Sequence, residues 1–242
     1  MAIYVTSDLH GYPFERFQKL LGSTGFGFDD TLYILGDVVD RGDDGVKYLC
    51  WLLVQNNVKL ILGNHEDMLL RCSFAFEHII NNTLHLVDHE HREMISHWYM
   101  NGCAPTLTGF AKLLATNRDM VDDILEYLIG APLYAQIKVG EREFFLTHGG
   151  LGDYEQGTEP SECSRMDLLW SRPNLNTSYH DTITTILGHT PTEYYGPEHK
   201  GKMLVTDTWI DIDTSAAYGG HPMLLRLDDM TPFYMTEEIL AG

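Results

Sequence analysis

Short apolar runs alternate with stretches of helical spacing over the first third of the chain. Three runs, residues 3–5, 31–35 and 58–62, are rich in β-branched, aromatic and leucine side chains and predict buried strands. Each run leads through a polar loop into residues with helical spacing, at about 13–21, 44–55 and from 67 onward. Because strand–helix–strand crossovers are almost always right-handed, this order predicts three neighbouring parallel strands.

The pattern changes after the third strand. Residues 68–129 have mainly helical spacing and a stop signal at Gly130-Ala131-Pro132, so we predict a helical cap over about 67–131. A hairpin is predicted at 133–139 and 143–147, and a further strand at 184–187. The tail runs 209–213, 223–227 and 233–235 are predicted as antiparallel strands that complete a second sheet. Since no linker separates these parts, we expect a single domain over residues 1–242.

Polar residues that can bind a metal ion follow each of the three predicted parallel strands. Asp8 and His10 follow the first strand, Asp37 the second, and Asn64 and His65 the third. The carboxyl ends of parallel strands meet at one edge of a sheet, where open α/β sheets bind their ligands. We therefore expect these five side chains to converge.

Two later strands also end in a histidine, at His148-Gly149-Gly150 and Gly188-His189-Thr190. A mixed set of carboxylate, imidazole and amide ligands suits manganese, iron or zinc better than magnesium or calcium. Two ions bridged by one carboxylate lie about 3.5–4 Å apart and lower the pKa of a shared water from 15.7 toward roughly 7. Asp37, on the central unit, is the expected bridge.

Four more histidines, His85, His89, His91 and His97, lie within the predicted helical segment. His85 and His89 are four residues apart and would share one helix face, a spacing that can bind metal. No sulfur ligand accompanies them, and histidines on an exposed helix need no ligand. We expect this group to be a polar surface.

Composition and charge restrict the partners. The 242 residues are 44% hydrophobic and 21% charged, which is typical of a globular protein. Asp and Glu number 35 against 16 Lys and Arg, and the formal charge of −19 repels polyanions, so nucleic acid is not expected as a partner. The four cysteines are widely spaced, and no apolar run reaches the length of a membrane span. We expect reduced thiols, no membrane partner and a cytoplasmic location.

The ordered motifs resemble those of the phosphoprotein phosphatase family of metallophosphoesterases, close to its bacterial and phage branch. They are Asp8-x-His10-Gly11, Gly36-Asp37-x-x-Asp40-Arg41-Gly42, Gly63-Asn64-His65-Glu66, His148-Gly149-Gly150 and Gly188-His189-Thr190. The similarity runs from Asp8 to Gly220. It implies an α/β fold of the metallophosphoesterase type, a four-layer α/β/β/α sandwich with two mixed β-sheets flanked by helices and a helical insertion.

The same resemblance assigns a role to each motif residue. It implies that Asp8, His10 and Asp37 hold one divalent ion and that Asp37, Asn64, His148 and His189 hold the other, with manganese expected and iron or zinc as alternatives. It makes Arg41 and Arg172 the phosphate clamp, with Arg165 competing for the place of Arg172. His65, oriented by Asp40, is the implied acid that protonates the leaving group. Ser7 stands where the family usually has glycine, which should alter the first turn without removing a ligand.

The implied reaction is direct attack of a metal-bound hydroxide on a phosphate monoester, without a covalent phosphoenzyme. Phosphoserine and phosphothreonine in proteins are the expected substrates, and phosphotyrosine is an open extension. A non-catalytic phosphopeptide-binding protein is a second, weaker alternative. A metal-dependent nuclease is disfavoured by the negative charge and the lack of a basic stripe.

The nearest rival is a symmetrical diadenosine tetraphosphate hydrolase, because such enzymes resemble this chain in scaffold and in the tail Asp213-Thr214-x-x-x-Tyr218-Gly219-Gly220. The resemblance implies that such hydrolases usually carry aspartate after the Asn-His pair, whereas the protein phosphatases carry glutamate, as this chain does at Glu66. Glu66 also adds negative charge beside His65. We therefore expect kcat/KM to be at least about tenfold higher for phosphopeptides than for the dinucleotide. Tyr194, Tyr195 and Tyr218 are the residues that would instead form a stacking platform for adenine.

Overall fold

The computed structural model describes residues 1–155, 158–159 and 162–241. Its strands, in chain order, are β1 (Ile3–Thr6), β2 (Thr31–Leu35), β3 (Val58–Ile61), β4 (Tyr134–Val139), β5 (Arg142–Thr147), β6 (Ile183–Leu187), β7 (Leu204–Val205), β8 (Trp209–Asp211), β9 (Met223–Arg226) and β10 (Thr231–Tyr234). Its α-helices are α1 (Phe14–Ser23), α2 (Gly45–Leu52), α3 (Asn64–Arg71), α4 (Ala75–Ile80), α5 (His89–Met100), α6 (Ala104–Thr116), α7 (Arg118–Gly130), α8 (Arg165–Trp170) and α9 (Glu237–Ala241).

The described strands form two mixed five-stranded sheets. The order is β10-β9-β1-β2-β3 in the first sheet and β4-β5-β6-β8-β7 in the second. As predicted, β1, β2 and β3 are parallel neighbours, with Tyr4 opposite Leu32 and Leu32 opposite Val58. β5, β6 and β8 form the parallel centre of the second sheet. The predicted fold class, two mixed sheets flanked by helices, is confirmed.

Alternate side chains of the strands enter different cores. In β2, Tyr33 and Leu35 point toward the second sheet and pack with residues such as Phe144 of β5, whereas Leu32 and Ile34 pack against the helices. Both faces of the strand are thus buried, which explains why the central strands read as continuous apolar runs rather than as alternating ones. A third cluster, around Phe145, Leu168 and Trp209, covers the outer face of the second sheet.

The prediction for the tail is wrong in part. β9 and β10 do not complete the second sheet: β9 pairs antiparallel with β1, placing Arg226 opposite Tyr4, and β10 pairs with β9. β8 does join the second sheet, but it runs parallel to β6. Both faces of β9 are apolar: Leu224 packs in the core on the helix side, and Leu225 packs in the core between the sheets. Because both faces are apolar, hydrophobic periodicity alone does not predict which sheet the strand joins.

Helices α3 to α7 follow β3 and precede β4. α3 begins at Asn64, with only Leu62 and Gly63 between it and β3, so Asn64, His65 and Glu66 form its first turn rather than a loop before it. Within the described ranges we find no helix with the length and apolarity needed to cross a bilayer.

Candidate metal centre and phosphate cavity

The loops after β1, β2 and β6 have an unusual backbone at the predicted site. Six non-glycine residues have positive φ: Asp8, His10, Asp37, Asp40, Arg41 and His189, with values from 42° to 69°. Such angles are uncommon for residues with a Cβ and collect at functional sites, where surrounding contacts enforce them. Here the backbone N–H of His10 donates to the carbonyl of Asp37 (2.7 Å), and that of Gly11 donates to the carbonyl of Val38 (2.9 Å).

Glycines allow two of these loops to touch. Gly36 has φ of +79°, and a Cβ there would clash with Gly63 Cα and lie 2.8 Å from His148 Nδ1. A Cβ on Gly63 would in turn clash with the carboxylate of Asp37. The glycines of the second and third motifs therefore let backbone, imidazole and carboxylate approach within contact distance.

The carboxylate of Asp37 lies at the centre of the site, as the bridging role would require. Its Oδ2 is 3.4 Å from Nε2 of both His10 and His148 and 3.8 Å from Nε2 of His65, while its Oδ1 accepts the backbone N–H of His65. Burial alone would raise the pKa of Asp37, but the neighbouring His148 and His65 hold it well below its ordinary value. The carboxylate is thus kept ionised in a buried position.

Hydrogen bonds fix which nitrogen of each histidine faces the centre. His10 Nδ1 is 3.0 Å from the carbonyl of Val39, and His148 Nδ1 is 2.7 Å from the carbonyl of Leu35, so both donate there and direct Nε2 toward the centre. Burial lowers the pKa of His10 and of His189, which favours the neutral imidazole that binds metal. Burial also acts to lower the pKa of His148, but the Asp37 carboxylate outweighs it and raises that pKa to about 10.

The remaining predicted ligands lie against the same centre. Asn64 Oδ1 is 2.7 Å from His148 Nε2, and Asp8 Oδ1 is 3.9 Å from His10 Nε2 while its Oδ2 accepts the backbone N–H of His189. Two triads have ligand atoms within 4.8 Å of one another: His10, Asp37 and His65, and Asp37, His148 and His189.

These residues fit a pair of divalent ions. His189 Nε2 is buried without a hydrogen-bond partner, a cost that a bound cation would remove. The carboxylate, imidazole and amide donors are the mixture expected for manganese, iron or zinc.

A second buried unit lies next to the metal ligands. His65 Nδ1 is 2.6 Å from Oδ2 of Asp40, and that oxygen also accepts a hydrogen bond from Trp98 Nε1 (2.8 Å). The other Asp40 oxygen accepts from the hydroxyl of Thr106 (2.6 Å). Burial acts to lower the pKa of His65, but the carboxylates of Asp37 and Asp40 outweigh it and raise the pKa. The arrangement favours the protonated imidazole, the form that can donate a proton.

Sequence reasoning identified His65 and Asp40 but missed Trp98 and Thr106. Both belong to the helical segment, Trp98 on α5 and Thr106 on α6, and both are buried. Nothing in the local sequence pattern distinguishes them from ordinary core positions.

A cavity of about 70 Å³ opens onto this centre. It is lined by His10, Asp37, Arg41, Asn64, His65, Asn101, Trp170, Arg172, His189, Pro191, Tyr194 and Tyr218. Arg41 reaches His10 Nε2 and His65 Nε2, each at 3.1 Å. Arg172 donates to the carbonyl of His189 and to Thr190 Oγ1, each at 3.2 Å. Two guanidinium groups thus share the cavity wall with the metal ligands.

Arg165, the rival of Arg172, lies elsewhere. Its Nε and Nη2 donate to Oδ1 of Asp67, at 3.0 and 2.6 Å, and it does not line the cavity. The geometry therefore favours Arg172 as the second arginine of the predicted phosphate clamp.

Two of the three candidate stacking tyrosines lie at the cavity. Tyr194 is 71% exposed and Tyr218 is 57% exposed, and the guanidinium of Arg41 lies 5.1 Å from the centre of the Tyr218 ring. Tyr195 instead packs against Trp209 and donates its hydroxyl to the carbonyl of Pro173. Tyr195 is therefore a structural residue, while the other two present aromatic surface at the mouth of the cavity.

Glu66 is turned away from the substrate side. Its carboxylate is completely buried and accepts backbone N–H groups from Gly63, Asp37, Val38 and Val39 at 2.7 to 3.3 Å. Burial, together with the Asp37 charge, raises its pKa to about 7. Glu66 is next to His65 in sequence, as the charge argument supposed, but its carboxylate faces the backbone of the metal-binding loops and does not line the cavity.

The four histidines of the helical segment are not gathered into a site. His91 Nδ1 is 2.8 Å from Asp88, His89 Nδ1 is 3.7 Å from Glu93, and the ring of His97 packs against Trp170. In the part of the chain that the structure describes, the groups able to hold a metal ion include none of the four.

Comparison with known proteins agrees with this geometry. The sequence model of the calcineurin-like phosphoesterase family matches residues 1–235. The symmetrical bis(5'-nucleosyl)-tetraphosphatase of Chromobacterium violaceum is 42% identical over 78 residues, 31% of this chain and 28% of the relative. The protein of the same name from Acidovorax sp. strain JS42 is 30% identical over 154 residues, 62% of this chain and 44% of the relative. The chain thus aligns with less than half of either relative.

Solved structures share the fold. A crystal structure provisionally described as a diadenosine tetraphosphatase has a TM-score of 0.66 at 18% identity and covers 97% of this chain and 92% of its own. A Saccharomyces cerevisiae protein serine/threonine phosphatase, with similarity to human phosphatase PP5, has a TM-score of 0.57 at 17% identity and covers 98% and 81%. With the family match over nearly all its length, the chain belongs to the calcineurin-like phosphoesterases and is a metallophosphoesterase hydrolase.

Proposed function

We propose that this metallophosphoesterase hydrolyses dinucleoside tetraphosphates symmetrically, releasing two nucleoside diphosphates. The observation that carries the proposal is the pair of exposed tyrosines, Tyr194 and Tyr218, at the mouth of a cavity that also contains two arginines and the metal-binding side chains. Exposed aromatic rings beside a phosphate site provide surfaces on which bases stack. The relatives named as symmetrical bis(5'-nucleosyl)-tetraphosphatases support the same choice.

The residues of the centre would divide the chemistry between them. Asp8, His10, Asp37, Asn64, His148 and His189 would hold two divalent ions, manganese being the expected metal. When bound, such ions generate a nucleophile from water at neutral pH and stabilise the charge that develops on the phosphoryl oxygens. The chain itself supplies Asp37 as the carboxylate shared by both triads.

Arg41 and Arg172 would bind the non-bridging oxygens of the attacked phosphate, since guanidinium groups match phosphate geometry with paired hydrogen bonds. His65 would donate a proton to the departing oxygen from its Nε2 nitrogen. Asp40 keeps the imidazole in the required orientation by accepting from Nδ1. The expected contribution of a general acid is about 10²–10⁴-fold in rate.

Hydrolysis of phosphoserine and phosphothreonine in proteins is the second candidate. The net charge of the chain favours this candidate. A formal charge of −19 repels a highly charged tetraphosphate chain, and among the described residues only two arginines line the cavity to offset that repulsion. A single phosphate on a neutral or basic peptide would be repelled less. The cavity volume of about 70 Å³ does not distinguish the two substrates. We place this candidate second because the relatives matched in sequence are named as symmetrical tetraphosphatases, and because the buried Glu66 adds no charge to the cavity wall.

Product analysis tests the proposal. Diadenosine tetraphosphate is incubated with the purified chain and manganese, and the nucleotides are separated by anion exchange. ADP as the sole product supports the proposal, whereas AMP with ATP contradicts symmetrical cleavage. No turnover of the dinucleotide, together with release of phosphate from a phosphoserine peptide, would establish the second candidate instead.

A further inference from the structure

A groove of about 470 Å³ lies beside the phosphate cavity and shares one wall with it. The shared wall is Trp170, which lines both spaces and whose ring centre is 5.9 Å from that of His189. The groove is formed by α3, α5 and α8, and the described residues that line it include no predicted metal ligand and no predicted catalytic residue. Its volume lies within the range of about 300–1,000 Å³ that is usual for small-ligand sites.

The floor of the groove is apolar and adaptable. Three methionines, Met68, Met94 and Met166, line it together with Trp170. Thioether side chains adjust their shape and make favourable contacts with aromatic rings, and an indole offers a flat stacking surface. Such a lining suits a planar aromatic group.

The charged side chains that line the groove are mostly acidic. Asp67 binds Arg165 through Oδ1 and Arg71 through Oδ2. Glu90 and Glu93 add two further carboxylates, so the residues that line the groove carry one positive and three negative charges, a net of −2, beside His97; Arg165 pairs with Asp67 but does not line the groove. A phosphate gains little here, because both arginines are already paired with a carboxylate. An uncharged group with hydrogen-bond donors gains more, since carboxylates accept from ribose hydroxyls and from amino groups.

We propose that this groove is a nucleoside subsite, which holds one nucleoside of the substrate while the phosphates occupy the neighbouring cavity. The inference rests on the proposed function for the identity of the substrate, but it makes a separate claim about which surface binds the base. The base would lie among Met94, Met166 and Trp170, and the carboxylates of Glu90 and Glu93 would accept from the sugar or the amino group.

Adenosine alone is the probe that separates the two claims. Calorimetric titration of adenosine is compared for the wild type, for Met166→Ala and for the matched control Met100→Ala. Met166 is 64% exposed in the groove, and Met100 is 76% exposed at the end of α5 outside it, so both variants should fold. We expect the Kd for adenosine to rise at least about fivefold in Met166→Ala and to stay within about twofold in Met100→Ala.

The same variants are then assayed on diadenosine tetraphosphate and on p-nitrophenyl phosphate, which has no nucleoside. The ratio of the two KM values, dinucleotide over nitrophenyl ester, should rise at least about fivefold in Met166→Ala only. Absent adenosine binding, or equal adenosine affinity in all three proteins, overturns the subsite even if the dinucleotide is hydrolysed. A Met166→Ala defect confined to phosphopeptides that carry an arginine also overturns it. Adenosine binding lost in Met166→Ala without any dinucleotide turnover supports the subsite and rejects the proposed function alone.

Discussion

The hydroxyl of Thr106 donates a hydrogen bond of 2.6 Å to the carboxylate of Asp40, although the two residues are 66 positions apart in the chain. The indole of Trp98 donates to the other carboxylate oxygen, the one that also pairs with His65. The carbonyl of Gly102 accepts the backbone N–H of Arg41 (2.9 Å). The α5–α6 region therefore positions the Asp40–His65 pair and the backbone of Arg41, and it is more than a cover over the sheet.

Thr106→Val should test that positioning. Valine keeps the shape but leaves a buried carboxylate oxygen without its donor, a change that costs about 1–3 kcal/mol in the free energy of unfolding. We expect a lower denaturation midpoint and a larger loss of activity on substrates with poor leaving groups than on p-nitrophenyl phosphate. Thr106→Ser, which keeps the hydroxyl, should restore both. Thr108→Val, an exposed change on the same helix, is the control; a defect equal to that of Thr106→Val would indicate a general effect on α6.

Asp37→Asn should abolish activity and weaken binding of both ions together, because Oδ2 of Asp37 lies between His10 and His148 and belongs to both candidate triads. Metal content of the purified variant, measured by mass spectrometry after dialysis, checks this. A variant that keeps two tightly bound ions and full activity would rule out the bridging role.

His65→Asn should have an effect that depends on the leaving group. A nitrophenolate departs largely unaided, whereas a serine alkoxide needs a proton, so phosphoserine peptide hydrolysis should fall by about 10²–10⁴-fold and nitrophenyl phosphate hydrolysis far less. Steady-state kinetics on both substrates provides the comparison. Equal losses on both substrates would mean that His65 supports the metal centre instead of acting as the general acid. That alternative role is suggested by the triad that His65 forms with His10 and Asp37.

Kinetics on a single substrate can show whether Arg172 or Arg165 binds the phosphate. Arg172→Ala should lower kcat/KM for p-nitrophenyl phosphate by about tenfold or more, because charge-assisted hydrogen bonds to a phosphate are worth about 1.5–3 kcal/mol. Arg165→Ala should change it by less than about threefold, since Arg165 is held by Asp67 outside the cavity. The reverse order would return the clamp assignment to Arg165.

The convergence of the metal-binding side chains was predictable because it depends on topology alone. Parallel strands bring Asp8, Asp37 and Asn64 to one edge whatever the details of packing, and the structure places them there. The same logic could not reveal Trp98 or Thr106, because their role depends on how two helices pack over the loop of Asp40.

The orientation of Glu66 and the sheet that β9 and β10 join could not be predicted from the sequence pattern. Glu66 follows His65 in sequence, but as the third residue of α3 its side chain turns back to the amide groups at the start of the helix. β9 and β10 are apolar enough for either sheet, and only the free edge of β1 decides their place. The sequence therefore predicted which side chains converge at the sheet edge, but it did not predict the residues that surround them.

The most direct test of the proposed substrate is a comparison of kcat/KM for diadenosine tetraphosphate and for a phosphoserine peptide, with manganese, in the wild type and in Tyr194→Ala. Tyr99→Ala, which removes a similarly exposed ring outside the cavity, is the control. We predict that kcat/KM in the wild type is at least about tenfold higher for the dinucleotide, a difference of roughly 1.4 kcal/mol in transition-state stabilisation. This preference should fall in Tyr194→Ala and stay unchanged in Tyr99→Ala. A tenfold preference for the phosphopeptide, unchanged by either replacement, would contradict the proposal.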